Sequence, residues 1–119
     1  SGYINTFYRG QAIQAYCIQS KEDLIKMRDG INKNGVYPED NKLNAYYFTS
    51  DIDMGSVEWI PIGNTTNYSF KNGIILGNGH YIIIVDIINE SMYNMRFNGG
   101  CFGGRLWQTK SCILTTSNA

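Results

Sequence analysis

Residues Gln11 to Gln19 alternate along the chain, with Ile13, Ala15 and Cys17 on one face and Tyr16 and Ile18 nearer the other. A period of two predicts a short strand. The period then changes. Leu24, Met27 and Ile31 follow three and four residues apart, the spacing of one helical face. Ser20 suits the N-cap, Lys21-Glu22-Asp23 places carboxylates against the positive end of the helix dipole, and Asp23 stands where a capping-box acid belongs. Gly35, after Asn32-Lys33-Asn34, predicts the stop. Val36 to Asn44, with Pro38 and three charges, predicts an exposed loop. From Ala45 onward short apolar runs alternate with Gly/Asn turns, a β pattern with no further helix.

The β half repeats itself. Tyr46-Tyr47-Phe48-Thr49-Ser50-Asp51-Ile52 aligns with Tyr81-Ile82-Ile83-Ile84-Val85-Asp86-Ile87 at an offset of 35 residues. Phe70-Lys71-Asn72-Gly73 aligns with Cys101-Phe102-Gly103-Gly104 at an offset of 31, which also carries Ile82-Ile83 onto Ile113-Leu114. Strands near 46–52, 81–88 and 112–117 at this spacing, with no helix between them, predict successive coils of a solenoid whose equivalent strands run parallel. The expected architecture is mainly β: a short right-handed parallel β-helix with an N-terminal strand and helix as its cap. Residues 1–44 form the cap and 45–119 the coils of one compact unit. An antiparallel sandwich and an α+β sheet with the helix on one face are the competing arrangements.

Composition supports β structure and narrows function. The 16 Ile, 9 Tyr and 5 Phe suit pleated strands, and the 13 Gly and 13 Asn suit turns with positive φ. A length of 119 residues allows one core. Ten Lys and Arg balance ten Asp and Glu, and no basic cluster stands out, which argues against a nucleic-acid surface. The longest apolar stretch, Tyr81 to Val85, is far below the roughly 20 residues of a membrane span. Three cysteines, Cys17, Cys101 and Cys112, read as buried apolar residues; with no C-x-x-C and one histidine they do not suggest a zinc site. No cofactor is expected.

Several segments carry a family resemblance. Tyr47-Phe48-Thr49-Ser50-Asp51-Ile52-Asp53-Met54-Gly55, Glu58-Trp59-Ile60-Pro61-Ile62-Gly63 and Phe70-Lys71-Asn72-Gly73-Ile74-Ile75-Leu76-Gly77-Asn78-Gly79-His80-Tyr81-Ile82 occur in that order. Together they resemble the opening coil of bacterial surface proteins with GLUG-type repeats. Gly99-Gly100-Cys101-Phe102-Gly103-Gly104-Arg105-Leu106 is similar to the G-L-F-G element of that family, and Ile18-Gln19-Ser20-Lys21-Glu22-Asp23-Leu24 to the helix that precedes its first strand. Leu76 replaces the usual Asp of D-G-N-G, Cys101 replaces the Leu of G-L-F-G, and Gly104 is extra. The resemblance implies a secreted or cell-surface module without catalysis, adhesin-like or a scaffold segment, binding a host protein or a glycan. It includes non-catalytic regions of immunoglobulin A protease-like proteins; no His-Glu-x-x-His is present here.

Candidate chemistry is sparse. In the solenoid register Asp51 and Asp86 would stack, with Asp53 nearby. Stacked carboxylates could bind Ca²⁺ or serve acid–base chemistry in a carbohydrate-active β-helix, the competing function. Turn-capping through the side chain is the plainer role for such Asp residues. His80 follows a Gly-Asn-Gly turn without a Ser or Cys partner at a recognisable spacing. Aromatic residues in apparent loops or ends are the binding candidates: Tyr68, Tyr93 and Trp107 first, with Tyr3, Phe7, Tyr8 and Tyr37. The strand near 112–117 has no closing helix or charged edge, so further repeats or a second copy are expected to cover it.

Overall fold

The structure is a computed structural model and describes residues 2–54, 58–59, 62, 73–83, 86–87, 111–113 and 116–118. The chain opens with β1 (Tyr3–Tyr8) and β2 (Gln11–Ile18), followed by α1 (Lys21–Asn34) and β3 (Ala45–Phe48). Seven short strands follow: β4 (Ile52–Asp53), β5 (Glu58–Trp59), β6 (Ile74–Leu76), β7 (Tyr81–Ile83), β8 (Asp86–Ile87), β9 (Ser111–Ile113) and β10 (Thr116–Asn118).

The helix begins and ends where its local chemistry directs. Ser20 is extended at φ −147°, and its Oγ accepts the Asp23 N–H at 3.1 Å. The Asp23 carboxylate accepts the Gln19 N–H at 3.0 Å, one residue outside the usual box position. At the other end Gly35 is left-handed at φ 84°, and its N–H reaches the Ile31 carbonyl at 2.8 Å.

The main sheet has five strands in the order β1-β2-β3-β6-β10. β1 and β2 form an antiparallel hairpin, Tyr3 opposite Tyr16 and Tyr8 opposite Gln11. Its two-residue turn, Arg9 and Gly10, has φ of 51° and 81°, the pairing that matches strand twist in a tight hairpin. β2 and β3 run parallel, so α1 is the crossover between them. Period two then sorts the side chains. On one face Ile18, Tyr46, Phe48 and Ile75 pack with Leu24, Met27 and Ile31 of α1, all essentially fully buried. Each such burial contributes roughly 1.5–3 kcal/mol. The other face gathers Ala15, Ala45 and Leu76, with Ile4, Tyr8, Ile13, Tyr47 and Ile74 half-buried around them.

This architecture corrects the solenoid expectation. Neighbouring stretches do run parallel: Tyr46 lies opposite Ile75, Ile52 opposite Ile82, and Glu58 opposite Asp86. The alignment, however, placed Tyr46 opposite Tyr81 and Ile52 opposite Ile87. More decisively, the strands expected to make the next coil turn back. β9 is antiparallel to β7, with Tyr81 opposite Ile113, and β10 is antiparallel to β6, with Leu76 opposite Thr116. A parallel β-helix requires the same direction in every coil. The fold is instead a small mixed α/β arrangement, an open mixed sheet with one helix packed on its face, so α1 does not cap a stack of coils.

Candidate functional site

Two corners of the molecule gather polar and aromatic groups. The first lies where the hairpin meets the loop between α1 and β3. Asn41 organises that loop from within. It is 2% exposed, donates from Nδ2 to the carbonyls of Tyr37 at 2.9 Å and Ala45 at 3.0 Å, and accepts the Ala45 N–H at 3.2 Å. Backbone bonds from Asn41 N–H to Pro38 and from Asn44 N–H to Asn41 tighten the turn, which follows a cis Tyr37–Pro38 bond. Tyr46, buried beneath, accepts the Tyr37 N–H at 3.1 Å through its hydroxyl and donates to the Asn44 side-chain carbonyl. Burial pushes the Tyr46 phenol well above its ordinary pKa. The stretch expected to be an exposed loop is therefore pinned by a buried amide and a buried phenol.

Against this loop stands an aromatic stack. Tyr3 and Tyr16, opposite each other in the hairpin, meet edge to face at 5.3 Å, and Tyr16 meets Tyr37 in the same way at 5.5 Å. The Tyr3 hydroxyl donates to Asp40 Oδ1, tying hairpin to loop. Burial first, and then the bond to Asp40 and its charge, raise the Tyr3 phenol pKa. Between them opens a groove of about 420 Å³ whose lining includes Tyr3, Ile13, Gln14, Asp40, Lys42 and Leu43. Gln14 Nε2 donates to Asn5 Oδ1 at 3.2 Å beside it, and Leu43 is 48% exposed. The groove thus presents a tyrosine ring, a carboxylate, an amide and an ammonium on one rim. A second trough of about 550 Å³ is edged by Lys26, Asp29, Lys33, Tyr37 and Glu39.

The second corner joins two turns. Asn78, left-handed at φ 56°, donates from its side chain to the Phe48 carbonyl at 2.8 Å and to that of Leu76 at 3.2 Å. His80 Nδ1 lies 3.0 Å from Asp51 Oδ1. The Asp51 side chain is 64% exposed, and the nearby Ser50 hydroxyl is spent on the Gln19 carbonyl at 2.7 Å. An imidazole oriented by a carboxylate is half of a nucleophile-activating set, but the adjacent hydroxyl points its proton elsewhere. This corner fastens the turn before β7 to the turn before β4.

The residues singled out in the sequence distribute unevenly. Asp51 and Asp86 do not stack, because Asp86 lies in β8 opposite Glu58 while Asp51 faces His80. Tyr3, Phe7 and Tyr8 belong to β1, not to a loop. Tyr68, Tyr93 and Trp107 lie outside the described residues. Cys17 is half-buried and carries no disulfide, and burial raises its thiol pKa; Cys101 and the side chain of Cys112 lie outside the described residues. Asp40 and Asn41 were not among the sequence candidates, although Asn-rich turns are where an amide can stand in for backbone partners. Among the described residues no three His, Cys, Asp or Glu side chains gather as a metal site, and no helix is long and apolar enough to cross a membrane. The chain matches no family model, no curated protein and no solved structure.

Proposed function

We propose that this chain is a non-enzymatic binding module that takes a short glycan in the groove between the hairpin and the 36–44 loop. The observation that carries the reading is the Tyr3–Asp40 pair at the rim of a 420 Å³ groove, with the Gln14 amide beside it. A ring face suits the apolar side of a sugar, while carboxylate and amide groups suit its hydroxyls. A loop already held by Asn41 and Tyr46 loses little freedom on binding. The likeness of the Asp51-Ile52-Asp53 to Gly79-His80 segments to surface proteins with GLUG-type repeats supports a secreted or cell-surface setting, adhesin-like or scaffolding.

A glycan array followed by calorimetry on the best ligand tests this. Tyr3→Ala is expected to weaken binding by about tenfold or more, roughly the worth of one well-placed aromatic contact. Unchanged affinity in Tyr3→Ala, with the circular dichroism spectrum preserved, removes the groove from the function. Incubation with acidic polysaccharides, with and without Ca²⁺, addresses the carbohydrate-active reading: new reducing ends or unsaturated products, lost on Asp86→Ala, would replace the binding module with an enzyme.

A further inference from the structure

Among the described residues strand β1 is an edge of the main sheet, and the register shows which of its backbone groups β2 leaves unused. The Cys17 N–H donates to the Gly2 carbonyl at 2.9 Å, so that opposite pair bonds directly. Antiparallel pairs alternate between bonded and unbonded. Ile4, Thr6 and Tyr8 therefore turn their backbone groups toward β2, and Tyr3, Asn5 and Phe7 turn theirs outward. Natural edges are usually blunted by charge, proline or a bulge. Tyr3-Ile4-Asn5-Thr6-Phe7-Tyr8 has no charge and no proline, and it pairs with β2 without a break. The side chains beside the outward groups are exposed: Tyr3 is 37% and Phe7 70% accessible, the latter a large apolar surface left in water.

We propose that β1 pairs antiparallel with β1 of a second copy, about a two-fold axis through Asn5, joining the two main sheets into one. A two-fold perpendicular to the sheet keeps faces matched, so the residues that meet must share parity. Centred on Asn5, the pairing sets Tyr3 opposite Phe7 of the second copy, Asn5 opposite its own counterpart, and Phe7 opposite the other Tyr3. Every outward N–H and C=O of the three residues then finds a partner. Tyr3 and Phe7 stand side by side as cross-strand aromatic pairs, twice over, which covers the exposed Phe7 ring. A shift of the centre to Thr6 would bring Arg9 opposite Tyr3, but Arg9 is left-handed in the turn and cannot continue the ladder. A shift to Ile4 would set Phe7 opposite Ser1 and deny its ring an aromatic partner. The occupant is a second copy because the strand is complementary to itself and, being uncharged, meets no repulsion from its twin. The ladder is spent when closed, so the product is a dimer.

The test uses the 119-residue chain. Light scattering across a concentration series is expected to show twice the chain mass at the high end. Asn5→Pro removes an outward N–H that β2 does not use, and Phe7→Lys places a charge on the edge. Each is expected to weaken dimerisation by about tenfold or more with an unchanged circular dichroism spectrum. Asn5→Cys is expected to form an intermolecular disulfide on mild oxidation, since Cα atoms of a bonded opposite pair lie about 5.5 Å apart, within disulfide reach. The wild-type chain and Gln11→Cys serve as controls that stay uncrosslinked. A chain that remains monomeric at all concentrations overturns the proposal. A dimer indifferent to both Asn5→Pro and Phe7→Lys, with no Asn5→Cys crosslink, overturns it too and points to the β10 edge.

Discussion

Asn41 holds its loop through three side-chain hydrogen bonds. Its amide stands in for backbone: Nδ2 serves two carbonyls and Oδ1 serves one N–H, all in a site 2% exposed. Asn41→Leu keeps the approximate volume, takes a donor from the Tyr37 and Ala45 carbonyls and takes the side-chain acceptor from the Ala45 N–H. The expected cost is about 2–4 kcal/mol, because unpaired buried polar groups retain their full desolvation penalty. Urea denaturation reads it, and a loss below about 0.5 kcal/mol would mean the loop holds without the amide. Asn41 was not legible from sequence. Its neighbours Pro38, Glu39, Asp40 and Lys42 signal solvent, and its partners are backbone groups that leave no mark in residue identities. Ser20 and Gly35 were legible because each acts within four residues of itself, on Asp23 and Ile31.

Helix α1 carries one residue that propensity disfavours. Gly30 in a helix interior costs about 1 kcal/mol relative to alanine. The reason it stands there is Tyr37: a Cβ on Gly30 would lie 2.6 Å from Cδ1 and 2.7 Å from Cβ of that side chain. The Tyr37 ring is also the end of the Tyr3–Tyr16–Tyr37 stack, and the backbone N–H of Tyr37 donates to the Tyr46 hydroxyl, so the residue has little room to give. Gly30→Ala is therefore expected to lower stability by about 1–3 kcal/mol in spite of the better helix former. A thermal melt showing stabilisation would mean that Tyr37 moves aside. At this scale the strand at 11–18 and the helix were readable from periods of two and 3.6. β1 was not. Tyr3 to Tyr8 has the composition of a strand, but its turn is Arg9-Gly10 and not Asn-Gly, and Arg is an uncommon choice at positive φ.

For the whole molecule, similarity between segments was readable and direction was not. Ile82 to Val85 is apolar at every position, so a slip of several residues changes no polar–apolar match, and nothing in it distinguishes a parallel neighbour from an antiparallel one. The turns settle the register: Asn78 binds Phe48, and His80 meets Asp51. Stability as a function of pH is also a property of the whole fold. Burial raises the Tyr46 and Tyr37 phenols, and burial with Asp40 raises Tyr3, so the unfolded chain gives up these protons first. Their contribution is intact below the unfolded value of about 10 and lost as pH rises beyond it. Denaturation midpoints are expected to fall above about pH 10, and less steeply in Tyr46→Phe; parallel slopes in the two proteins would exclude Tyr46 as a source. The parallel pairing of β2 with β3 has a consequence for how the chain acquires its shape. A hairpin such as β1–β2 closes in about 1–10 μs. β3 can join it only after the intervening helix has brought the chain back across the sheet, and β6 only after the stretch that carries β4 and β5 has been made. A ribosome delivers roughly 5–20 residues per second, N-terminus first. Hairpin, helix and β3 are therefore synthesised, with time to pair, while β9 and β10 are still being made, and the late strands are the last to find their neighbours.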